Sequence, residues 1–536
     1  MKANKSIRAL FLLIPLLIMA SCNNLPSNNS GVSSDNMTTP SDYEIDETVT
    51  NENGGVYYQI FVRSFADSNG DGYGDLTGIA HKLPYLKTLG VKGVWLTPIH
   101  PSPSYHGYDV TDYKAINPDF GTIGDFENMI SAATANSIDV IIDLVINHSA
   151  RSHPWFREGR ERFASPDYDP NDPYDKGNWY DFYIENGQVK VQTGFFGDSM
   201  PELKLDNIAV REEIVSISKF WLDKGVKGFR LDATSHFFES HALNIDFLRW
   251  FSNMVKTYKP GSYIVAEAWE GFNIQKNYYA GVDSLFNFDG SGATGFIIDN
   301  IETRSGPIIS NNIARCFNEA YAINENALMA MFLSNHDQDR SSGMFTRDYL
   351  ERQKVAASIY ILTPGVPFMY YGEEIGLKGS RAGANTDANR RLPMVWKRLK
   401  DTYRPNPPIG TTYDMTKQVR DGVEEQLADP MGLLNHYRKV INVRNMHPWI
   451  KSARPNHLQL NVNGLTALTL HEHNGNKELI VVHNLLAEPI HVKLTRFITE
   501  YEVEIIHDIY ATGTRATYNN GTLTLAPYSS VVLRRK

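Results

Sequence analysis

A chain of 536 residues exceeds what one hydrophobic core organises, so a large domain with one or two smaller companions is expected. With 42% hydrophobic and 21% charged residues, it has the composition of a folded globular protein. A formal charge of -9 and the lack of any basic stripe exclude a nucleic-acid partner and leave a neutral or cationic ligand as the better fit.

Taken from its start, the chain opens on an export signal: Lys2, Lys5 and Arg8 precede an apolar run from Ala9 to Met19 that is too short to span a bilayer comfortably. The run ends in Met19-Ala20-Ser21-Cys22, which resembles a bacterial lipoprotein processing site and makes Cys22 the expected lipid attachment point after a 1–22 signal. The expected location is therefore outside the cytoplasm, anchored by lipid to a bacterial membrane, either the outer membrane or the cell surface. Cys316 is the only other cysteine, so packing and a metal are expected to stand in for disulfides. Asn, Ser, Thr, Pro and Asp dominate residues 23–53, which cannot bury enough apolar surface to order themselves and read as a disordered tether.

From Val56 onward, short apolar runs alternate with longer amphipathic stretches, the pattern of repeated βα units around a parallel sheet. Eight strands are predicted: Val56–Phe61, Gly93–Thr97, Asp139–Val145, Gly228–Asp232, Tyr263–Glu267, Ser284–Phe288, Ala330–Leu333 and Val366–Tyr370. Apolar residues recur at helical spacing over Leu76–Leu89, Val210–Lys224 and Leu243–Tyr258. The prediction is an α/β fold, a closed (β/α)8 TIM barrel over 54–147 and 207–448. The connection after the third strand is long and rich in Pro, Asp, Gly and aromatic residues, so a small inserted subdomain is expected over 148–206. A polar excursion, Gly376–Asp429, follows the eighth strand and precedes a helix near Met431–Val443. Strand-like alternation over Leu465–His471, Glu478–His483 and Ser529–Leu533, with Asn474-Gly475 and Asn520-Gly521 as turns, predicts a C-terminal all-β sandwich domain over 449–536. The expected state is a monomer.

Reactive groups of a (β/α)8 barrel collect at the carboxyl ends of its strands. Asp232 and Glu267 each end an apolar strand, and Asp337 follows another in Phe332-Leu-Ser-Asn-His-Asp337. The first two belong to consecutive strands and are expected to face each other across the barrel mouth. Cleaving a glycosidic bond with retention needs such a pair, about 5 Å apart. Arg230, two residues before Asp232 on a strand, points to the same side and is expected to lower the Asp232 pKa. Glu267 is expected to lie against Trp269 and an apolar strand, which raises its pKa.

The segments Asp143-Leu-Val-Ile-Asn147-His148, Gly228-Phe-Arg230-Leu-Asp232-Ala233, Glu267-Ala-Trp269 and Asn335-His336-Asp337 together resemble the signature of the α-amylase family of glycoside hydrolases. The resemblance runs from about Gly55 to the end of the chain. It implies Asp232 as nucleophile, Glu267 as general acid and base, and Asp337 as the carboxylate that grips sugar hydroxyls. It also implies His148 and His336 as hydroxyl ligands and Tyr108 as a platform under the sugar ring, with Asp109 and His236 as further sugar contacts. The implied substrates are α-glucans such as starch and maltooligosaccharides, cut at α-1,4 bonds.

Independently, Asp67-Ser-Asn69-Gly-Asp71-Gly-Tyr73-Gly-Asp75 spaces oxygen ligands two apart, with glycines that permit a tight loop around a hard cation, which is calcium chemistry; an Asx-rich turn is the alternative. The resemblance implies calcium here, with the Tyr73 carbonyl among the ligands. It also implies a second metal site at Asn147 and an acid of the insert, which falls at Glu202 and departs from the usual aspartate. Ala233 follows Asp232 where α-1,6-specific relatives tend to carry valine, and Ser235 stands where many α-amylases have lysine. An α-1,6-acting or neopullulanase-like enzyme is the alternative within the family, and a non-catalytic starch-binding lipoprotein the alternative outside it.

Overall fold

Eight parallel strands make one sheet: Tyr57–Ile60, Gly93–Leu96, Asp139–Leu144, Gly228–Leu231, Tyr263–Ala266, Ser284–Phe286, Leu328–Ala330 and Phe368–Tyr370. The first seven pair each with the next, and the first pairs with the eighth in the register Tyr57 to Phe368. Val366 N–H to the Met329 carbonyl at 3.0 Å and Phe368 N–H to the Met331 carbonyl at 2.8 Å link the last two strands and close the barrel. This computed structural model describes residues 55–536 apart from 382, 384–385 and 497–502. The signal segment, Cys22 and the tether lie outside the described residues. Among the described residues, no helix is long and apolar enough to cross a membrane.

Alternation along each strand decides what faces inward. Tyr57, Trp95, Ile141, Val265, Phe286, Ala330 and Phe368 fill the barrel interior as one apolar cluster. Two residues further along, the inward positions turn polar, as Gln59, Asp143 and Glu267, and each of these is buried. The barrel floor is hydrophobic and its carboxyl end is charged. Gly228 lets the fourth strand pass against the fifth: a Cβ there would lie 1.8 Å from the Tyr263 carbonyl oxygen.

The seventh strand lies at Leu328–Ala330 and not over Ala330–Leu333. Ala330-Met-Phe-Leu333 is apolar throughout, so it carries no alternation to mark an edge, and the ladder stops where its short neighbour stops, at Phe286 opposite Ala330.

After the third strand the chain leaves the barrel and forms the helix Pro154–Phe163 and an antiparallel hairpin, Phe182–Glu185 with Gln188–Val191. The hairpin turns on Asn186 at φ 51 and Gly187 at φ 74, the left-handed pair that two-residue turns require. Beyond the barrel stands a five-stranded antiparallel sheet in the order Arg454–His457, Leu465–His471, Glu478–Asn484, Ser530–Arg535, Val503–Ile509. Ile480, Val482, Val531 and Leu533 from this sheet pack on Ile490, Val492, Leu523 and Leu525 from a second, three-stranded one, which makes the domain a sandwich. The five-stranded sheet also rests on the barrel helix Gly306–Ile323, where Gly306 N–H reaches the Asn463 carbonyl at 2.8 Å and Tyr321 Oη the Ala453 carbonyl at 3.0 Å.

Candidate active site

At the polar end of the barrel, one guanidinium gathers three carboxylates. Arg230 Nη1 stands 2.7 Å from Asp232 Oδ1 and 2.8 Å from Asp143 Oδ1, and its Nη2 is 2.7 Å from Glu267 Oε1. Arg230 is wholly buried and lies over the Trp95 ring, 5.0 Å from its centroid. Because one guanidinium touches both Asp232 and Glu267, the pair is held close, as in the roughly 5 Å arrangement of retaining glycosidases. Glu267 Oε2 also accepts the Ala233 N–H at 3.2 Å. Ala233 is in the left-handed region at φ 52, a conformation that favours glycine and points to local strain beside Asp232 and Glu267.

Burial dominates the electrostatics. It raises Asp232 to about 6, with Arg230 opposing and Asp143 and Asp337 adding to the rise. The expected lowering by Arg230 is thus real but outweighed, because Asp232 shares that cation with two other buried carboxylates. Burial likewise raises Glu267 to about 7, again opposed by Arg230 and reinforced by Asp232 and Asp337. The Trp269 ring, two residues on, stacks on Phe288 at 4.5 Å and is 46% exposed. Asp337 behaves in the opposite way. Burial pushes it up, but His336, Arg391 and Arg230 together hold it at about 2. Burial pushes His336 down to about 3, so it is uncharged at neutral pH and the salt bridge from Arg391 Nη2 to Asp337 Oδ1, at 2.8 Å, supplies the charge.

Tyr108 reaches the centre with its hydroxyl, which lies 2.9 Å from Asp143 Oδ2 and 2.6 Å from His336 Nε2, while its ring stacks on that of His336. His336 Nδ1 is 2.7 Å from Gln59 Nε2, and His148 places Nε2 3.1 Å from the Tyr108 carbonyl and Nδ1 3.3 Å from Asn147 Nδ2. Both histidines are fully buried with both ring nitrogens engaged by protein, so sugar hydroxyls have to share these contacts. Asp109 is tied into its own loop through Ser102 and Ser104. His236 lies under Phe195, ring on ring at 3.9 Å, at the edge of the site. Gln59, Trp95, Asp143, Tyr105 and Arg391 complete the network: Tyr105 Oη meets Arg391 Nη1 at 3.2 Å, and Trp95 Nε1 meets Asp143 Oδ2 at 3.2 Å. Asp143 stands in one of the recognised motifs. The others come from separate strands and loops whose convergence no local pattern announces.

The Asp67–Asp75 loop is wound on its own oxygens. Asp67 accepts N–H groups of Asn69, Gly70 and Gly72, and Asp71 accepts that of Tyr73. Gly70 and Gly72, at φ 82 and 94, make that winding possible. Asp75 instead caps the helix Leu76–Leu89, accepting Gly78 N–H, Ser68 Oγ–H and Ser68 N–H. Among the described residues, no three His, Cys, Asp or Glu side chains gather as a metal-binding group. Asp67, Asn69, Asp71 and the Tyr73 carbonyl form an all-oxygen set that fits a hard cation. At the other candidate site, Glu202 takes a hydrogen bond from Asn147 and another from the Phe195 N–H at 3.0 Å. Glu202 and Asn147 thus meet each other directly.

Residues 59–453 match the family described as "Alpha amylase, catalytic domain". The chain belongs to the α-amylase family of glycoside hydrolases. Residues 472–532 match the "Alpha-amylase SusG C-terminal domain". The "Alpha-amylase 3" of Dictyoglomus thermophilum is 36% identical over 496 residues, 89% of this chain and 93% of that one. The 4-alpha-glucanotransferase of Thermotoga maritima is 30% identical over 451 residues, 81% of this chain and 96% of that one. The solved structure of Eubacterium rectale Amy13B superposes with a TM-score of 0.84 at 33% identity, over 92% of this chain and 97% of that one. Membership in the α-amylase family thus fixes the fold and the class of chemistry, while relatives named for hydrolysis and for transfer share them.

Proposed function

We propose that this chain is a retaining, endo-acting hydrolase of α-1,4-glucosidic bonds in starch and maltooligosaccharides. The observation that supports this reading most is the Arg230 bridge, which holds Asp232 and Glu267 together at the barrel mouth. Asp232, as carboxylate, attacks the anomeric carbon while Glu267 hands its proton to the glycosidic oxygen, so the bond breaks and the leaving sugar departs as an alcohol. Glu267, now ionised, takes a proton from water, and the water oxygen displaces Asp232 to give net retention. Asp337, kept ionised beside Arg391, accepts sugar hydroxyls and steadies positive charge at the ring, and Tyr108, His148 and His336 line the same position. Transfer to a second sugar in place of water is the alternative, favoured by likeness to a named glucanotransferase.

Calcium belongs to the same reading: it is held by Asp67, Asn69, Asp71 and the Tyr73 carbonyl and stiffens the loop after the first strand. So does attachment through Cys22 to a bacterial membrane, which keeps the enzyme beside exported glucan. Product chromatography of the unsubstituted chain and Asp232→Asn on soluble starch, pullulan and panose tests the proposal. Maltooligosaccharides from starch, lost in the variant, support it. Untouched starch with pullulan or panose cleaved moves the chain to α-1,6 or neopullulanase-like action, and no hydrolysis of any of them leaves only glucan binding.

A further inference from the structure

Glu202 is fixed first through its backbone. Ser149 N–H reaches the Pro201 carbonyl at 3.1 Å and Leu203 N–H the Asn147 carbonyl at 2.9 Å, so Glu202 pairs antiparallel with His148 just past the third barrel strand. From this anchor the half-buried side chain reaches back over the loop 193–199, where Oε1 accepts the Phe195 N–H at 3.0 Å. The carboxylate is packed against Gly194: a Cβ there would lie 1.8 Å from Glu202 Cδ. Among the described residues, the other hydrogen bonds and ion pairs of this loop hold it less well. Gly197 N–H to the Gly194 carbonyl at 3.3 Å and Met200 N–H to the Gly197 carbonyl at 3.4 Å stay within the segment, and the Arg151 to Asp198 ion pair, at 3.3 Å, has both partners exposed. An exposed ion pair is screened by water, whereas a hydrogen bond onto a partly buried carboxylate is charge-assisted and stronger.

The loop carries two rings to the site. Phe195 stacks on His236 at 3.9 Å, Phe196 lies 4.7 Å from His148, and the two phenylalanines meet edge-on at 5.0 Å. One aromatic wall therefore runs from His148, inside the site, to His236 at its edge. Its place is set by the peptide that joins Gly194 to Phe195, which is the peptide Glu202 holds. The same carboxylate takes a hydrogen bond from the Asn147 amide. A carboxylate so engaged, facing an amide that presents its nitrogen, does not fit a hard cation, which takes roughly six to eight oxygens.

Resting on the proposed function, we propose that Glu202 is a positioning residue: it clamps the loop 193–199 to the end of the third barrel strand and fixes the Phe195–Phe196 wall along the path of the sugar chain. The test is steady-state hydrolysis of maltoheptaose by the full chain, with calcium present. Glu202→Ala is expected to raise KM about three- to tenfold, the loss of one hydrogen bond, with kcat within about twofold of the parent. Glu202→Gln keeps an oxygen for the Phe195 N–H and should restore KM to within about twofold of the parent. Gly194→Ala pushes the carboxylate aside without removing it, so it should raise KM as Glu202→Ala does and add nothing to it in the double variant. Parent-like KM in Glu202→Ala, a kcat that falls as far as KM rises, or effects of the two alanine substitutions that multiply overturn the clamp. Glu202→Gln as impaired as Glu202→Ala overturns it in favour of a metal ligand. If the unsubstituted chain leaves maltoheptaose intact, the proposed function fails by itself, and the clamp is read as retention in native gels containing amylopectin. There the same order of variants supports it and equal retention overturns it.

Discussion

Replacing Arg230 with lysine tests whether one guanidinium sets the protonation of both Asp232 and Glu267. The side chain is wholly buried and stands 2.7 to 2.8 Å from Asp143, Asp232 and Glu267. A lysine ammonium is a compact point charge and cannot span the positions that a planar fork spans. At least one charge-assisted hydrogen bond is lost, worth roughly 1.5–3 kcal/mol. At about 1.36 kcal/mol per unit, the abandoned carboxylate rises by roughly one to two pKa units. The proposed mechanism needs Asp232 ionised and Glu267 protonated, so the unsubstituted chain should show a bell in kcat/KM with an acid limb near 6 and an alkaline limb near 7. In Arg230→Lys one limb moves upward, the acid limb if Asp232 is abandoned and the alkaline limb if Glu267 is, and the peak falls at least about tenfold, matching the lost bond. The assay is kcat/KM on a chromogenic maltotrioside across the pH range. Limbs that stay in place, with a loss of less than about threefold at the peak, refute the bridging argument.

Other outcomes follow from the same geometry. Gln59→Leu removes the donor that fixes the His336 ring, and kcat/KM is expected to drop about tenfold, the cost of one unsatisfied buried partner; parity with the parent refutes that role. Ala233→Gly relieves a left-handed alanine and should raise the melting temperature, whereas Ala233→Val should lower it, since a branched side chain is still less at ease there; the reverse order in calorimetry counts against strain at this position. Chelation with EGTA should lower the melting temperature by about 3 °C if calcium had stood at about 100 times its Kd, and Asp71→Ala should remove that response; no shift in either refutes calcium at the Asp67–Asp75 loop.

The barrel was legible because its strands are short apolar runs that end in residues with a purpose, as in Gly228-Phe-Arg-Leu-Asp232, and because helices between them keep helical spacing. Where that contrast fails, as at Ala330-Met-Phe-Leu333, which is apolar on both faces, nothing in the sequence marks the strand edge. Sequence places Asp232 and Glu267 at the ends of consecutive strands but does not give their protonation. Asp232 was expected to be lowered by Arg230, and only the three-way sharing of one buried cation shows why burial prevails. The stacking of Trp269 on Phe288 is fixed by the segment after a different strand and is not announced by the sequence around Glu267. Gln59 and Arg391 support His336 and Asp337 from strand one and from the excursion after strand eight, distances in the chain that no local pattern bridges.

The helix Gly306–Ile323 serves two neighbours at once. Its Asn312 and Arg315 line a cavity with Asp289 and Asp299, while Gly306, Asn318 and Tyr321 hold backbone of residues 453–463. The sandwich is therefore a poor unit for recombination. A chimera that exchanges it between relatives at a junction near residue 450 breaks these bonds and loosens a barrel helix, so swaps should lower the melting temperature even when every residue of the barrel mouth is retained.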